Sequence, residues 1–222
     1  MARYAISDIH GCFYTLKELL NVVGFNKDDQ LFFPGDFINR GGHSKEVIDF
    51  LMNLEDENYQ VHFTKGNHED MLFNTSEVKD FSGGDDSLHQ SFGISHFTEL
   101  SEKYKEWFSK LDYFQISGKY ILVHAGLDFS EDDILKKNEN MLWINDWYDD
   151  IDYKRLGDRI IIHGHNIVPK QTILEMRDNL DKNQVLDIDN GCYKAGEKNE
   201  GNLCCFNLDS RELYFQKKYR LI

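Results

Sequence analysis

Long hydrophobic runs are absent from this chain of 222 residues, and none approaches the roughly 20 apolar residues that a membrane-spanning helix needs. The first residues enter a strand-like stretch at once, without the charged and then apolar leader of a signal peptide. We therefore expect no membrane partner and no secretion signal, and we predict a cytoplasmic protein.

Cysteine and proline are also scarce. The chain has two prolines and four cysteines, Cys12, Cys192, Cys204 and Cys205, with no C-x-x-C pair among them. Cys204 and Cys205 are adjacent, so in a strand their side chains would point to opposite faces. Because no export signal is visible, we expect all four to be reduced thiols.

Basic side chains are outnumbered by acidic ones, 25 against 39, which gives a formal net charge of −14. A general nucleic-acid binder needs a basic surface, so we expect no non-specific nucleic-acid binding. A phosphorylated substrate is not excluded, because bound divalent cations can reverse the local field. The sequence leaves the oligomeric state open.

Strand-like segments alternate with helical patterns in the first half of the chain. Arg3–Ser7, Gln30–Phe33 and Gln60–Thr64 predict strands, with helices from Phe13 and over Lys45–Leu54 between them. A βαβαβα order favours an α/β protein whose sheet is largely parallel. The polar, glycine-bearing segment 76–96 then breaks the rhythm, and we predict an insertion or cap loop within a single domain over 1–222.

The second half is richer in strands. We expect them over Tyr113–Ser117, Tyr120–His124, Arg159–His163, Gln184–Ile188, Leu203–Leu208 and Glu212–Gln216. Short turns such as Gly118-Lys119, Asn190-Gly191 and Asp209-Ser210 predict hairpins. We therefore expect a second, more antiparallel sheet.

Polar side chains follow five of the predicted strands. The motifs are Asp8-Ile9-His10, Gly35-Asp36-Phe37-Ile38-Asn39-Arg40-Gly41, Gly66-Asn67-His68-Glu69, His124-Ala125-Gly126 and Gly164-His165. Ligand sites in open α/β folds form at the carboxyl ends of strands, and oxygen and imidazole donors suit Mn, Fe or Zn. Most of these motifs are weak alone, and only Gly66-Asn67-His68-Glu69 is less easily dismissed, but their joint occurrence in this order indicates a metal site in which Asp36 can bridge two ions.

This set of motifs resembles that of the phosphoprotein phosphatase family of calcineurin-like metallophosphoesterases, notably its compact bacterial and phage serine/threonine phosphatases. The resemblance runs from residue 8 to residue 165 and continues more loosely through Asp187–Leu208. It implies a β-sandwich of mixed sheets flanked by helices. It also implies a set of metal ligands, namely Asp8, His10, Asp36, Asn67, His124 and His165.

The same resemblance implies three catalytic positions. Arg40 would clamp phosphate oxygens, His68 would protonate the leaving oxygen, and the nucleophile would be a metal-bound water or hydroxide. Asn39 stands where the family usually has an aspartate that pairs with this histidine. The carbonyl of Asn39 can still accept a hydrogen bond but carries no charge, so we expect His68 to be oriented yet more easily deprotonated. A second phosphate-binding arginine is not evident, since Asn145 occupies its usual place.

The expected cofactors are two divalent ions, Mn²⁺ in the first instance, with Fe and Zn as alternatives. The expected substrate is phosphoserine or phosphothreonine in a protein. One alternative is a nucleotide substrate, a dinucleoside polyphosphate such as diadenosine tetraphosphate or another nucleotide pyrophosphate. An alternative from another class is a metal-binding pseudophosphatase that recognises phosphorylated partners, although the presence of Arg40 and His68 argues against it.

Overall fold

A computed structural model describes residues 1–74, 87–194, 196 and 199–219. In chain order the strands are β1 (Arg3–Ile6), β2 (Gln30–Phe33), β3 (Gln60–Phe63), β4 (Phe114–Ser117), β5 (Tyr120–Val123), β6 (Ile160–His163), β7 (Val185–Asp187), β8 (Asn202–Asn207) and β9 (Leu213–Lys217). The helices are α1 (Phe13–Val23), α2 (Ser44–Asp56), α3 (Asn67–Asn74), α4 (Ser87–Phe92), α5 (Glu102–Ser109), α6 (Asn140–Trp143), α7 (Tyr153–Leu156), α8 (Lys170–Asp178) and α9 (Leu180–Asn183). Short 3-10 helices lie at Phe97–Glu99 and Tyr148–Asp150.

The first sheet has five strands in the order β3, β2, β1, β8, β9. The first three are parallel, with Tyr4 opposite Leu31 and Leu31 opposite Val61, as the βαβαβα pattern predicts. β8 then pairs antiparallel with β1, and β9 pairs antiparallel with β8. The carboxyl ends of β1, β2 and β3 therefore meet at one edge of the sheet.

The second sheet has four strands in the order β4, β5, β6, β7, and here two expectations are wrong. Only β4 and β5 are antiparallel, whereas β5, β6 and β7 are parallel. The run Ile160–His163 is buried throughout, as expected of a parallel strand covered on both faces. Asn190-Gly191 forms no hairpin, because β7 and β8 lie in different sheets.

Side chains of alternating direction build three layers of core. Ala5 and Phe32 pack with Leu122 and Ile162 between the two sheets, whereas Ile6 faces the helical layer formed by α1, α2 and α5. On the outer face of the second sheet, a further core includes residues from both the strands and the loops that cover them, among them Ile121, Val123, Ile161, Trp147 and Leu156. The predicted α/β sandwich of mixed sheets with flanking helices is confirmed. Cys204 and Cys205 do face different cores.

The helices follow from apolar spacing. In α1, Leu16, Leu19 and Leu20 form one buried face. The helix ends at Gly24, which adopts the left-handed conformation without the steric penalty that a side chain would bring. Among the described residues the longest helix is α2, with 13 residues, and none is both long and apolar enough to cross a membrane.

The predicted insertion at 76–96 lies in part outside the described residues. Its described part contains α4, whose Leu88 is buried in the helical core. The Ser91 hydroxyl accepts a hydrogen bond of 2.9 Å from the Lys45 amide at the start of α2. This part of the segment is therefore packed against the domain.

Candidate metal centre

The six side chains predicted to bind metal come together at one edge of the sandwich. Asp8 and His10 follow β1, Asp36 follows β2 and Asn67 begins α3, while the other two, His124 and His165, follow β5 and β6. Parallel pairing places the carboxyl ends of β1, β2 and β3 side by side, and those of β5 and β6 in the facing sheet.

The carboxylate of Asp36 lies at the middle of this cluster. Its Oδ2 is 3.3 Å from Nε2 of His10, and its Oδ1 is 3.6 Å from Nε2 of His124. One group of ligand atoms combines Asp36 with Asp8 and His124, and a second combines it with His10 and His68. Asp36 is therefore shared by both groups, which fits its predicted role as a bridging carboxylate.

Two further predicted ligands, Asn67 and His165, lie beside His124. Its Nε2 lies 3.0 Å from Oδ1 of Asn67 and 3.2 Å from Nδ1 of His165. The backbone N–H of His165 donates a 3.0 Å hydrogen bond to Oδ2 of Asp8, which ties the loop after β6 to the loop after β1.

The hydrogen bonds of the two histidine rings show that this donor set fits divalent cations. Nδ1 of His10 donates to the carbonyl of Ile38 at 2.9 Å, and Nδ1 of His124 donates to the carbonyl of Pro34 at 3.1 Å. Each Nε2 therefore presents a lone pair, yet it faces the oxygens of Asp36 or Asn67, which are acceptors as well. A divalent cation between these atoms would be bound by all of these lone pairs, so the donor set fits a metal site.

Burial also shifts the pKa values of the side chains in this cluster. Desolvation, followed by the neighbouring Asp189 and Asp36, raises the pKa of Asp8 well above its usual value. Desolvation and then Glu69 raise the pKa of Asp36 in the same way, and desolvation lowers the pKa of His124 well below its usual value. Oδ1 of Asp8 is buried with no hydrogen-bond partner among the described residues. Bound cations would offset the free-energy cost of burying these carboxylates in their charged form.

The backbone around the ligands is closely fitted. A Cβ atom on Gly66 would lie 2.1 Å from Oδ1 of Asp36, and one on Gly164 would lie 2.1 Å from Oδ1 of Asp8. Five non-glycine site residues have left-handed φ angles, namely His10, Asp36, Asn39, Arg40 and His165. Such strain clusters at functional sites because it directs side chains inward.

Glu69 holds this backbone in place, a role that the sequence motif did not reveal. Its carboxylate accepts hydrogen bonds from the amides of Asp36, Phe37 and Gly66 at 2.8 to 2.9 Å. Desolvation raises the pKa of Glu69 to about 7. The signal in the sequence was its place in Gly66-Asn67-His68-Glu69, but two of its three partners lie 32 and 33 residues away and could not be identified from spacing.

His68 and Asn39, two of the three predicted catalytic residues, are in contact. Nδ2 of Asn39 lies 2.8 Å from Nδ1 of His68, so the amide nitrogen faces the ring, not the carbonyl oxygen that the sequence led us to expect. In this arrangement Asn39 donates to Nδ1 and the proton of the neutral ring lies on Nε2, while Oδ1 of Asn39 is buried with no hydrogen-bond partner among the described residues. Nε2 lies 4.0 Å from Oδ2 of Asp36, and desolvation, followed by the charges of His10 and Arg40, lowers the pKa of His68 to about 2.

Arg40, the third predicted catalytic residue, lies exposed at the mouth of the cluster. Its guanidinium carbon lies 5.7 Å from the ring centre of Tyr193, which also packs edge-on against His10. Asn145 is exposed, and its amide donates to the carbonyl of Trp143. Arg40 is therefore accessible to a phosphate in solvent. The second phosphate-binding arginine that the family usually has at the position of Asn145 is replaced by this asparagine.

Residues 1–205 match the family model described as calcineurin-like phosphoesterase. All six predicted ligands and the three catalytic positions lie within this stretch. The match covers both sheets of the sandwich except β9 and the last two residues of β8.

Curated relatives are symmetrical bis(5'-nucleosyl)-tetraphosphatases. The one from Nitrosospira multiformis is 33% identical over 128 residues, which cover 57% of this chain and 44% of the relative. The one from Aromatoleum aromaticum is 35% identical over 133 residues, which cover 57% of this chain and 45% of the relative. The matched part of the chain thus spans less than half the length of these relatives.

Solved structures share the fold along the whole chain. A protein provisionally assigned as a diadenosine tetraphosphatase has a TM-score of 0.66 at 20% identity, with 99% of this chain and 94% of that chain covered. A serine/threonine protein phosphatase from Saccharomyces cerevisiae has a TM-score of 0.66 at 16% identity, with 100% and 81% covered. At these identities the likeness concerns the fold alone.

Proposed function

We propose that this chain, which belongs to the calcineurin-like phosphoesterase family, hydrolyses the phosphoanhydride of a dinucleoside polyphosphate at a two-metal centre. Membership of that family makes it a phosphoric ester hydrolase. The substrate class, the identity of the metal and the cytoplasmic location belong to the proposal.

The contact between Asn39 and His68 carries the choice of substrate. Asn39 contacts Nδ1 but carries no charge, so His68 faces the reacting group as a neutral donor, without a carboxylate to stabilise an imidazolium. A serine or threonine ester must leave as an alkoxide, which needs strong protonation. A nucleoside diphosphate leaves as a phosphate whose second pKa is roughly 6, so it needs little help from an acid.

The curated relatives support the same choice. They are named as enzymes that cleave a tetraphosphate between two nucleosides symmetrically, and their similarity to this chain lies within the metallophosphoesterase match. By analogy, we expect cleavage of diadenosine tetraphosphate at its central anhydride, with two molecules of ADP as the products.

The roles of the residues follow from their positions. Two divalent ions, Mn²⁺ first with Fe or Zn as alternatives, would be held by Asp8, His10, Asp36, Asn67, His124 and His165. When bound, they would acidify a water molecule and neutralise phosphate charge. The planar donor fork of Arg40 binds phosphate oxygens at the mouth of the site. Nε2–H of His68 then donates a hydrogen bond to the leaving phosphate oxygen.

Hydrolysis of phosphoserine or phosphothreonine, which the motif resemblance predicts, is the second candidate. The exposure of Arg40 favours it, because a phosphate carried on a protein surface could reach this guanidinium. The two candidates differ in the leaving group and therefore separate in one assay.

The test is a panel of substrates with the Mn²⁺-loaded protein. We expect kcat/KM for diadenosine tetraphosphate to exceed that for a phosphothreonine peptide at least tenfold, with ADP as the nucleotide product by chromatography. A preference for the peptide would replace the proposal with the second candidate. No turnover of either substrate or of p-nitrophenyl phosphate, with two metals bound per chain, would favour the pseudophosphatase.

A further inference from the structure

A cavity of about 480 Å³ lies beside the loops that carry the metal ligands His165 and His124. Its wall includes Asn166, the residue directly after His165, and Trp147, whose Nε1 donates a 3.1 Å hydrogen bond to the carbonyl of Ala125, next to His124. A cavity of this size falls within the range of roughly 300–1,000 Å³ for small-molecule sites. It therefore borders the metal centre and can hold a group of nucleoside size.

One side of the cavity is a fixed aromatic ring. The hydroxyl of Tyr148 donates to Nε2 of the buried His163 at 2.7 Å, because Nδ1 of His163 donates to the carbonyl of Gly164. The ring of Trp147 packs edge-on against Tyr148 with 5.0 Å between ring centres. Tyr148 is 39% exposed although its hydroxyl is hydrogen-bonded to the buried His163. A ring held in this way offers an apolar surface at low entropic cost.

The floor of the cavity includes an acceptor without a donor. Oδ1 of Asp187 accepts the amide of Asp189 at 2.8 Å, whereas Oδ2 is buried with no hydrogen-bond partner among the described residues. His163 does not satisfy it, because the distance from Nδ1 to Oδ2 is 4.0 Å and the Nδ1 proton is directed at Gly164. A buried acceptor of this kind calls for a hydroxyl or amino donor from a ligand.

Charge determines which part of a substrate fits. Three of the lining residues are aspartates, Asp146, Asp149 and Asp187, and none of the lysines or arginines that the structure describes lines the cavity. These aspartates would repel a phosphate, whereas the neighbouring metal centre and Arg40 would attract it. An uncharged group with hydroxyl donors and a flat ring is therefore the part that belongs in this cavity.

We propose that this cavity is a nucleoside subsite, in which Tyr148 stacks on the base while Asp187 and its neighbouring aspartates accept hydrogen bonds from the ribose hydroxyls or the amino group of the base. Carboxylates that accept from ribose hydroxyls are a recurring device in nucleotide sites, and bases stack readily on tyrosine. The inference rests on the proposed function, to which it adds the residues that recognise the nucleoside. It assigns the phosphates to the metals and one nucleoside to this cavity.

The first experiment uses Tyr148→Ala with Tyr153→Ala as the matched control. Tyr153 is 47% exposed on α7 and does not line the cavity. We expect the ratio of kcat/KM for diadenosine tetraphosphate to that for p-nitrophenyl phosphate to fall about tenfold in Tyr148→Ala, through KM, because stacking of a base is lost. Tyr153→Ala should keep the ratio of the wild type. Equal ratios in both variants would overturn the subsite.

A second variant, Asp187→Asn, replaces the free acceptor by an amide of the same size. Its folding is checked by thermal melting, and a fall in the same ratio is expected. If Asp187→Asn does not fold, Tyr148→Ala still decides the question.

Calorimetry with adenosine alone and Mn²⁺-loaded protein separates the subsite from the proposed function. Adenosine binding that weakens in Tyr148→Ala, without cleavage of the dinucleotide by the wild type, would sink the function and keep the subsite. Cleavage of the dinucleotide by the wild type, with unaltered kcat/KM ratios in the variants, would support the function and overturn the subsite. An absence of adenosine binding combined with competition by an arginine-bearing peptide would overturn the nucleoside assignment in favour of a cationic ligand.

Discussion

Nδ2 of Asn39 and Nδ1 of His68 lie 2.8 Å apart, and the lack of charge on Asn39 decides what the histidine can do. An uncharged amide beside Nδ1 does not stabilise a second proton on the ring. An aspartate at the same place would accept from Nδ1 and stabilise the doubly protonated ring. The residue at position 39 therefore sets the strength of the acid at position 68.

Asn39→Asp should allow His68 to act as a doubly protonated acid. Beside Asn39 the pKa of His68 is lowered to about 2, so the wild-type ring is neutral near pH 7, and a carboxylate beside Nδ1 raises that pKa. We expect an alkaline limb to appear in the kcat profile of the variant on a phosphothreonine peptide, and turnover of this peptide below that limb to rise about a hundredfold, at the low end of general acid catalysis. Diadenosine tetraphosphate should change little because its leaving group is good.

The pH–rate profiles of the wild type, Asn39→Asp and Asn39→Ala, measured on both substrates, check this prediction. Superimposable profiles for the wild type and Asn39→Asp would show that position 39 does not control the acid.

His68→Asn should separate the acid role from metal binding. Nε2 of His68 is close enough to Asp36 and His10 to form part of a ligand group, although the motif resemblance assigns it no metal. We expect two metals per chain to remain by elemental analysis, while turnover of the peptide falls about a hundredfold. Loss of one metal from His68→Asn, with His89→Asn unchanged, would identify the ring as a ligand instead.

Gly66→Ala should weaken metal binding without altering any ligand. The added methyl group would lie 2.1 Å from Oδ1 of Asp36, so the bridging carboxylate must move. We expect metal affinity to fall about 10- to 100-fold, the size of effect seen when the surroundings of a ligand are disturbed. Gly42→Ala is the matched control, since nothing lies within 4 Å of its Cβ position. Equal metal titrations for the two variants would contradict the fit described for this site.

The metal-free protein should lose stability as the pH rises from 7 to 8, through the upper part of the titration of Glu69. Desolvation raises the pKa of Asp8 and Asp36 well above the usual value and that of Glu69 to about 7. In this window the unfolded carboxylates have already lost their protons, so the folded state must release protons as the pH rises and becomes less stable. Histidines do not mask the trend, because they are largely neutral in both states above pH 7.

Thermal melting in EDTA across this range is the measurement, and a fall in Tm of about 3 °C or more is expected. With Mn²⁺ present the trend should vanish or reverse, since metal binding favours the deprotonated carboxylates. A flat Tm in EDTA would mean that the buried carboxylates are already compensated without metal.

The clustering of the six predicted ligands could be expected from the sequence because each belongs to a short motif at the end of a strand. Asp8 and His10, two residues apart, needed only the strand direction to be brought together. Asp187 and Tyr148 could not be recognised, because their importance depends on contacts between segments that are distant along the chain. Position alone also could not show which atom of Asn39 faces His68.

The arrangement of the second sheet was harder to predict for a different reason. Asn190-Gly191 has the composition of a hairpin turn, but the strands on either side pair with β6 and β1 in separate sheets. Local turn chemistry carries no information about which sheet a strand joins. The apolar run of β6 was the better guide, since a strand buried on both faces favours parallel pairing.

The left-handed backbone at His10, Asp36 and His165 bears on any attempt to transplant this centre into another protein. The ligands point inward because these main-chain torsions are held by Glu69, by close glycines and by the two packed sheets. A scaffold that received only the six side chains would let its main chain relax toward ordinary torsions, each a gain of about 1–3 kcal/mol. The ligands would then diverge. The portable unit is therefore the set of loops together with their supports, and a designer would have to copy the torsions before the residues.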